Sequence, residues 1–426
     1  MASNTTHAAY VLPMAILAGL LGTGYTTAAH AQTAYPDPTG YSQCAASDIN
    51  DSDNAVGACT PANASGAAAA WYAAAPGNTP TLLLPLVTGQ ACSADGVAND
   101  GIIVGGCVNT NNIPFGVIWT SSTASPVQLQ PLSLLQIQVT LLQVSITLAD
   151  VSTGATGYNQ NGAIVGESVS PSGESTPVLY ANGSGTPIPI TGYASNCGAV
   201  DVNQTTVNGQ PSVALDCPTN PSSSNPGPSF GAIAQYTALL GGYVVTALPL
   251  PSGATHCTVA GINDSLEAVG TCHSPAPDHP QTAYWATPTS TPTLLTVSGS
   301  ARNGGAFINA SGNVVFEYQN SNGTGNAGFW NTSTNAVTLI SPLTGGTRAV
   351  ATGLGDNNKV TLTSETSAST EQPEAAEWTS SGGTVALGDL NGGKDSGVAG
   401  TNKGGTAAVI DGEGSTENAV GGEAGL

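Results

Sequence analysis

Between its first residue and Ala301 this chain has neither lysine nor arginine; its five bases are Arg302, Arg348, Lys359, Lys394 and Lys403. Against 26 acidic residues they leave a formal net charge of -21. A chain this acidic, with no cationic cluster, repels phosphate, which argues against nucleic acid and anionic membrane surfaces as partners and in favour of cations or cationic surfaces. Charged residues of both signs make up only 7% of the sequence, so the charge blocks that keep chains unfolded are missing too. Methionine occurs only at Met1 and Met14. No C-x-x-C pair is present, which removes the usual redox motif. No G-x-S-x-G elbow stands on a strand-to-helix turn, because no segment carries a helical pattern.

What is present is turn chemistry and short apolar runs. The 426 residues include 55 glycines and 28 prolines, and Val, Leu and Ile recur in brief clusters between them. Short strands joined by many turns account for this pattern. Residues 1–31 read as an export signal, with an apolar stretch from Val11 to Leu21 and a small-residue site, Ala29-His30-Ala31, before Gln32. Its n-region lacks a base. An uncleaved anchor is the alternative, but the apolar run is shorter than the roughly twenty residues a span needs. No cysteine adjoins the cleavage site, so a lipoprotein is not indicated. The expected location is bacterial and secreted, periplasmic or on the cell surface.

All eight cysteines fall into four close pairs: Cys44 with Cys59, Cys92 with Cys107, Cys197 with Cys217, and Cys257 with Cys272. Three of these have fourteen residues between them, with an Asn/Asp cluster near the midpoint. That is the spacing of a β-hairpin tied by a disulfide, which suits an oxidising compartment. Each staple closes a short loop and is expected to contribute roughly 3 kcal/mol.

The hairpin then returns without cysteines. INDSDNAVG from Ile49, YNQNGAIVG from Tyr158, INDSLEAVG from Ile262, INASGNVVF from Ile308 and GTNKGGTAAV from Gly400 are copies, and VANDGIIVG from Val97 is a shortened one. LGDNNKVTL from Leu354 is a diverged copy and the stretch from Val202 a weaker one. About twenty-one residues after each turn stands an aromatic: Trp71, Trp119, Tyr180, Trp285, Trp330 or Trp378. A further apolar strand follows, so each unit offers four strands. An all-β chain of this kind is expected to form a β-propeller of seven to eight four-stranded blades, with one bulky aromatic per blade filling the space between neighbours. The units start near 44, 92, 153, 197, 257, 303, 349 and 396, which makes residues 32–426 a single domain. Thr33 to Tyr41 is the segment available to close the ring. A β-solenoid is the alternative architecture.

The stretch Val385 to Val409 resembles the HAF-type extracellular repeat of bacteria. Gly388, Leu390, Gly392, Gly393, Ser396, Asn402 and Gly405 carry the resemblance, and Phe329-Trp330 and Tyr284-Trp285 match its aromatic strand. The resemblance implies an exported repeat protein. It implies no reaction and supplies no catalytic residue.

Candidate chemistry is sparse, and no catalytic residue or cofactor is expected. His256 and His273 flank the last disulfide with Asp278 nearby, a minimal metal set that ordinary surface histidines explain as well. The Asn/Asp turns invite calcium, yet tight turns demand the same residues for backbone reasons. Glu365, Glu371, Glu374 and Glu377 read as a solvated face. Ser133 to Leu148 alternates apolar and polar residues, as a strand or hairpin would; it either folds onto the propeller or offers an edge for self-association. Each disulfide joins the start of a hairpin to its end, which marks one rim of the ring as reinforced. The expected function is binding or surface interaction at that rim, with a carbohydrate or protein ligand. A carbohydrate-active enzyme with acids at the channel and a self-assembling surface component are the alternatives.

Overall fold

The fold is that of a computed structural model, which describes residues 9–11, 33–63, 66–139, 144–181, 183–191, 196–207, 209–219, 227–275, 279–366, 372–388 and 395–413. Every regular element among them is a strand, and none is a helix able to cross a membrane. Seven sheets are each built from four consecutive antiparallel strands, here lettered A to D from the channel outward. Their A strands are Tyr41–Ile49, Cys92–Val97, Ser152–Tyr158, Gly198–Val207, His256–Ile262, Ser300–Ile308 and Ala349–Leu354. These are blades 1 to 7 of a β-propeller.

An eighth four-stranded sheet is composite. Asp395–Thr401 and Ala408–Glu413 supply its A and B strands, and Ala9–Val11 and Thr33–Tyr35 supply C and D from the other end of the chain. The register runs Tyr10 opposite Ile410 and Val11 opposite Thr33. The expectation that the segment after residue 32 closes the ring thus holds for Thr33–Tyr35. Ala9–Val11, inside the stretch read as an export signal, lies between that strand and the rest of the sheet. Blade 8 packs on blade 7 on one side and blade 1 on the other, so the ring is closed.

The core is a set of inter-blade wedges. Trp71, Trp119, Tyr180, Trp285, Trp330 and Trp378 are all buried, each packed against the preceding blade. Three of them also reach that blade with a polar atom: Trp119 and Trp285 donate Nε1–H to the carbonyls of Leu84 (2.8 Å) and Pro249 (3.0 Å), and Tyr180 donates its hydroxyl to Gln130 (3.1 Å). Each acceptor lies just past the D strand of the preceding blade, so one aromatic both fills the wedge and fixes the crossover. Blade 4 has no such aromatic on strand C. Tyr243, from its D strand, takes part in that core and donates its hydroxyl to Pro211 at 2.9 Å.

Every A strand carries a β-bulge one turn before its hairpin, for example between Ala94 and Gly96 and between Val259 and Gly261. The extra residue twists the strand and turns its last residues toward the channel. The bulge also explains the glycine of the recurring A/I-V-G motif on strand B. A Cβ on Gly105 would lie 2.1 Å from the Ser93 carbonyl, and one on Gly270 2.0 Å from that of Thr258.

Candidate functional site

The repeated asparagine organises the A–B end of the ring. Asn50, Asn159, Asn263 and Asn309 are buried, and each Oδ1 accepts N–H groups two and four residues on, as Asn263 does from Ser265 and Glu267 at 3.0 Å. Their Nδ2 groups then cross to the next blade. Asn50 donates to the Ala98 carbonyl (2.9 Å), Asn159 to Asn203 (2.7 Å), Asn263 to Asn309 (3.0 Å) and Asn309 to Gly355 (3.2 Å). The following position adds a second circle of contacts, including Asp51 with Asn99, Gln204 N–H to Asp264, Ala310 N–H to Asp356, and the closing bond from Gly404 N–H to Asp51 at 2.8 Å. Turn chemistry accounts for these residues, and no cluster of three or more His, Cys, Asp or Glu is poised for a metal among the described residues. The rung between blades is what the sequence alone did not reveal. Its signal was an asparagine kept where any turn-forming residue would serve.

Two residues before that asparagine, strand A faces the channel. The position holds Gly96, Gly157, Gly261, Gly353 and Gly400 in five blades, Asp48 and Asp201 in two, and Phe307 in one. The two aspartates do the same structural job. Asp48 accepts Val97 N–H and Asp201 accepts Ile262 N–H, both at 2.9 Å from the next blade. Asp48 also accepts the hydroxyl of Tyr158, whose ring reaches from blade 3 across Gly96, where a Cβ would sit 2.1 Å from the ring. Three blades are tied by that one carboxyl. Burial pushes Asp48 and Asp201 up to about 6, against the lowering effect of their hydrogen bonds and, for Asp201, of Lys403. Asp216, which accepts Val259 N–H at 2.9 Å, is raised to about 6 for the same reason.

Between these strands lies a cavity of about 440 Å³ at the A–B end of the channel. Seven blades contribute to its wall, with amides (Gln160, Gln204), hydroxyls (Thr156, Thr401), the Phe307 ring, the carboxyls of Asp95, Asp201 and Asp356, and Lys403.

The opposite end carries the disulfides. All four form as the spacing predicts: Cys44 is bonded to Cys59 on blade 1, Cys92 to Cys107 on blade 2, Cys197 to Cys217 on blade 4, and Cys257 to Cys272 on blade 5. In each, the first cysteine stands on strand A and the second on strand B, with Cα atoms 4.0 to 4.2 Å apart. The expectation of staples among the first five blades is met in four of them. Blade 3 has none, because its hairpin carries no cysteine.

A smaller cavity of about 180 Å³ opens at that rim, lined by His279, Gln281, Ser300 and Asn303 among others. His256 and His273 pair across the hairpin with rings stacked at 4.4 Å. Asp278, the third member of the proposed metal set, lies outside the described residues, as do residues 220–226 that follow Cys217 between strands B and C of blade 4. The stretch from Ser133 forms a hairpin, Ser133–Val139 with Val144–Ala149, that among the described residues is a separate two-stranded sheet. Leu390, Gly392 and Gly393 of the HAF-like motif also lie outside the described residues. Glu377 departs from the expected solvated face: it is buried and pairs with Lys359 at 3.0 Å. Both face blade 8, and the apolar cluster described between blades 7 and 8 consists of Ala375, Leu387, Val398, Ala408 and Ile410. Glu371 lies outside the described residues.

No protein-family model and no curated protein matches this sequence. Solved structures do. The chain is similar to the β-propeller domain of the Trilobed protease from Pyrococcus furiosus, at 12% identity over 82% of this chain and 99% of that one, with a TM-score of 0.48. It is similar to prolyl oligopeptidase B from Galerina marginata at 11% identity, TM-score 0.50, over 82% of this chain but only 50% of that one. TolB from Acinetobacter baumannii matches at 10% identity over 88% of this chain and 65% of that one, with a TM-score of 0.37. At such identities the likeness concerns the propeller fold alone.

Proposed function

We propose that this chain is an exported, non-catalytic binding module whose ligand, a carbohydrate or a segment of protein, enters the channel at the A–B end. The observation that carries this reading is the cavity itself. It is large enough for a sugar unit or a side chain and is lined by amides, hydroxyls and one aromatic ring brought together from different blades. Such a lining offers directional hydrogen bonds and a flat apolar face, which is how uncharged polar ligands are held. The four disulfides support an oxidising destination, and the HAF-like motif of the last third supports an exported role. This moves the expected site from the disulfide rim to the other end of the ring. A glycan and peptide binding screen on the full chain tests it: Phe307→Ala and Gln204→Ala should each abolish the hits. Hits that survive both changes and vanish on substituting His279 would return the site to the rim.

Two alternatives each have one supporting observation. Asp201, raised to about 6 on the cavity wall, has the protonation behaviour of a general acid, as a carbohydrate-active enzyme requires. Glycan turnover by the wild type that is lost in Asp201→Asn would favour catalysis. Among the described residues the hairpin from Ser133 is a sheet of its own, as a self-assembling component requires. Unchanged light scattering after deletion of residues 133–148 would reject assembly through it.

A further inference from the structure

We infer that the channel cavity receives a primary ammonium group, as an amino sugar or a lysine side chain presents it, and that Asp201 is the carboxylate that takes it. This rests on the binding reading above and deepens it by naming the ligand chemistry.

The argument starts from the charges facing the space. Blade 2 contributes Asp95, blade 4 Asp201, blade 7 Asp356 and blade 8 Lys403. Asp264, on the blade 5 turn, is engaged by the backbone of Gln204 and Thr205. Asp48 of blade 1 is engaged by Tyr158, the titratable residue that blade 3 brings to this wall. Blade 6 brings Phe307, Ile308 and Asn309, none of them charged. Three carboxyls therefore face one ammonium.

Asp201 is also the one whose geometry is fixed. Its Oδ1 accepts Val202 N–H at 2.8 Å and its Oδ2 accepts Ile262 N–H at 2.9 Å, so the side chain cannot swing away from the channel wall. Each oxygen keeps acceptor capacity for a further donor. Lys403 lies on blade 8, half a ring away, and lowers the Asp201 pKa without cancelling the effect of burial. An ammonium in direct contact would do what Lys403 does from a distance: supply the missing countercharge and hold the carboxyl ionised. Phe307 stands where five blades have glycine. Its ring borders the cavity while packing on the apolar cluster of blades 6 and 7, which puts an aromatic group beside the carbons next to the ammonium. The net charge of -21 draws cations toward such a site from solution.

Proton and ligand then compete for one carboxyl. In the free protein Asp201 is half protonated near pH 6, so binding there should release about half a proton per ligand. Below that pH, affinity should fall toward a limit of about tenfold per pH unit.

Calorimetry on the full chain tests this with paired probes. A glucosamine tetramer is compared with its N-acetylated form, and a lysine tripeptide with its acetyl-lysine form. At about pH 7 one of the amines should bind at least about tenfold tighter than its acetylated partner, a preference of the size expected for one partly buried ion pair. The pair that responds identifies the source. Asp201→Asn should erase the preference with the thermal midpoint retained at about pH 5, where the wild-type carboxyl is itself mostly neutral. Lys403→Met should tighten amine binding, a gain that loss of structure would not produce. Equal affinity for amine and acetylated probes, or no gain in Lys403→Met, overturns the inference and leaves the binding reading standing. No binding of any probe overturns the ammonium site, and the glycan and peptide screen then decides the binding reading separately.

Discussion

Three of the aspartates that burial raises, Asp48, Asp201 and Asp216, make the fold more stable in mild acid than at neutrality. Asp48, Asp201 and Asp216 each accept a backbone N–H from the next blade, and burial lifts each carboxyl to about 6. In the unfolded chain an aspartate titrates near 3.9. The native state therefore holds these protons to higher pH than the unfolded state does. Their stabilising contribution is complete below about pH 4 and is lost as pH rises through about 6. A shift of about two units corresponds to about 3 kcal/mol per group. All three side chains keep some contact with solvent, so about 1 kcal/mol each is the sounder expectation, or about 3 kcal/mol together. Urea denaturation with disulfides intact, run between about pH 4.5 and 7.5, should show that loss. General repulsion among 26 acids acts in the same direction. The variant Asp48→Asn/Asp201→Asn/Asp216→Asn separates the two effects, because asparagine cannot ionise and its one oxygen can still accept the next blade's N–H, at the cost in Asp201→Asn of the bond from Val202 N–H. It should be more stable than the wild type at about pH 7.5 and lose most of the slope between about pH 5 and 7. A slope unchanged in the triple variant would refute the assignment to these carboxyls.

Three other outcomes are expected. Asn263→Ala strips the acceptor from Ser265 and Glu267 and the donor from Asn309, and should lower unfolding free energy by about 2 to 4 kcal/mol in denaturant titration. Glu377→Ala leaves Lys359 buried without its carboxylate and should cost about 3 to 5 kcal/mol, whereas Lys359→Met/Glu377→Leu should recover most of that loss by thermal unfolding. Gly270→Ala forces a Cβ into the Thr258 carbonyl and should abolish soluble expression or unfold blade 5 first, read by hydrogen exchange of its strands.

Much of the architecture was legible because the repeat marks its own parts. The cysteine pairs located hairpins in blades 1, 2, 4 and 5, and the aromatic spacing located a wedge residue in six blades. Blade 4 read weakly for two physical reasons. Its hairpin runs on past Asn203 to Val207 and Gln210, which breaks the turn pattern, and an aromatic of its core comes from strand D. The cavity was not legible, because its wall is made of single residues from seven blades that are remote in sequence. Its one local signal was the exchange of glycine for Asp48, Asp201 and Phe307 at the position two before the turn. Glu377 was misread because a glutamate among other glutamates resembles a solvated face until its partner, Lys359 just before the adjacent strand, is in place.

The two ends of the ring are held by different chemistry, and so are its two halves. At one end disulfides fasten single blades internally; at the other, buried asparagine amides fasten blade 1 to 2, 3 to 4, 5 to 6 and 6 to 7. A disulfide constrains the unfolded chain but adds nothing between blades, so the rungs and the aromatic wedges must carry closure. The blades with disulfides fall in the stretch that has no lysine or arginine, while Arg302, Arg348, Lys359 and Lys403 belong to blades 6 to 8, which have no cysteine. The apolar cluster described between blades 7 and 8 consists of Ala375, Leu387, Val398, Ala408 and Ile410, smaller side chains than the indoles of the other wedges, and the Lys359–Glu377 pair and the Thr361–Thr401 hydroxyl contact stand beside it. Polar contacts depend on geometry more steeply than apolar ones do. The seam where the composite blade joins the last contiguous one is therefore where the closed ring should open first, and hydrogen exchange should find the strands Asp395–Thr401 and Ala408–Glu413 less protected than their counterparts in blades 1 to 5.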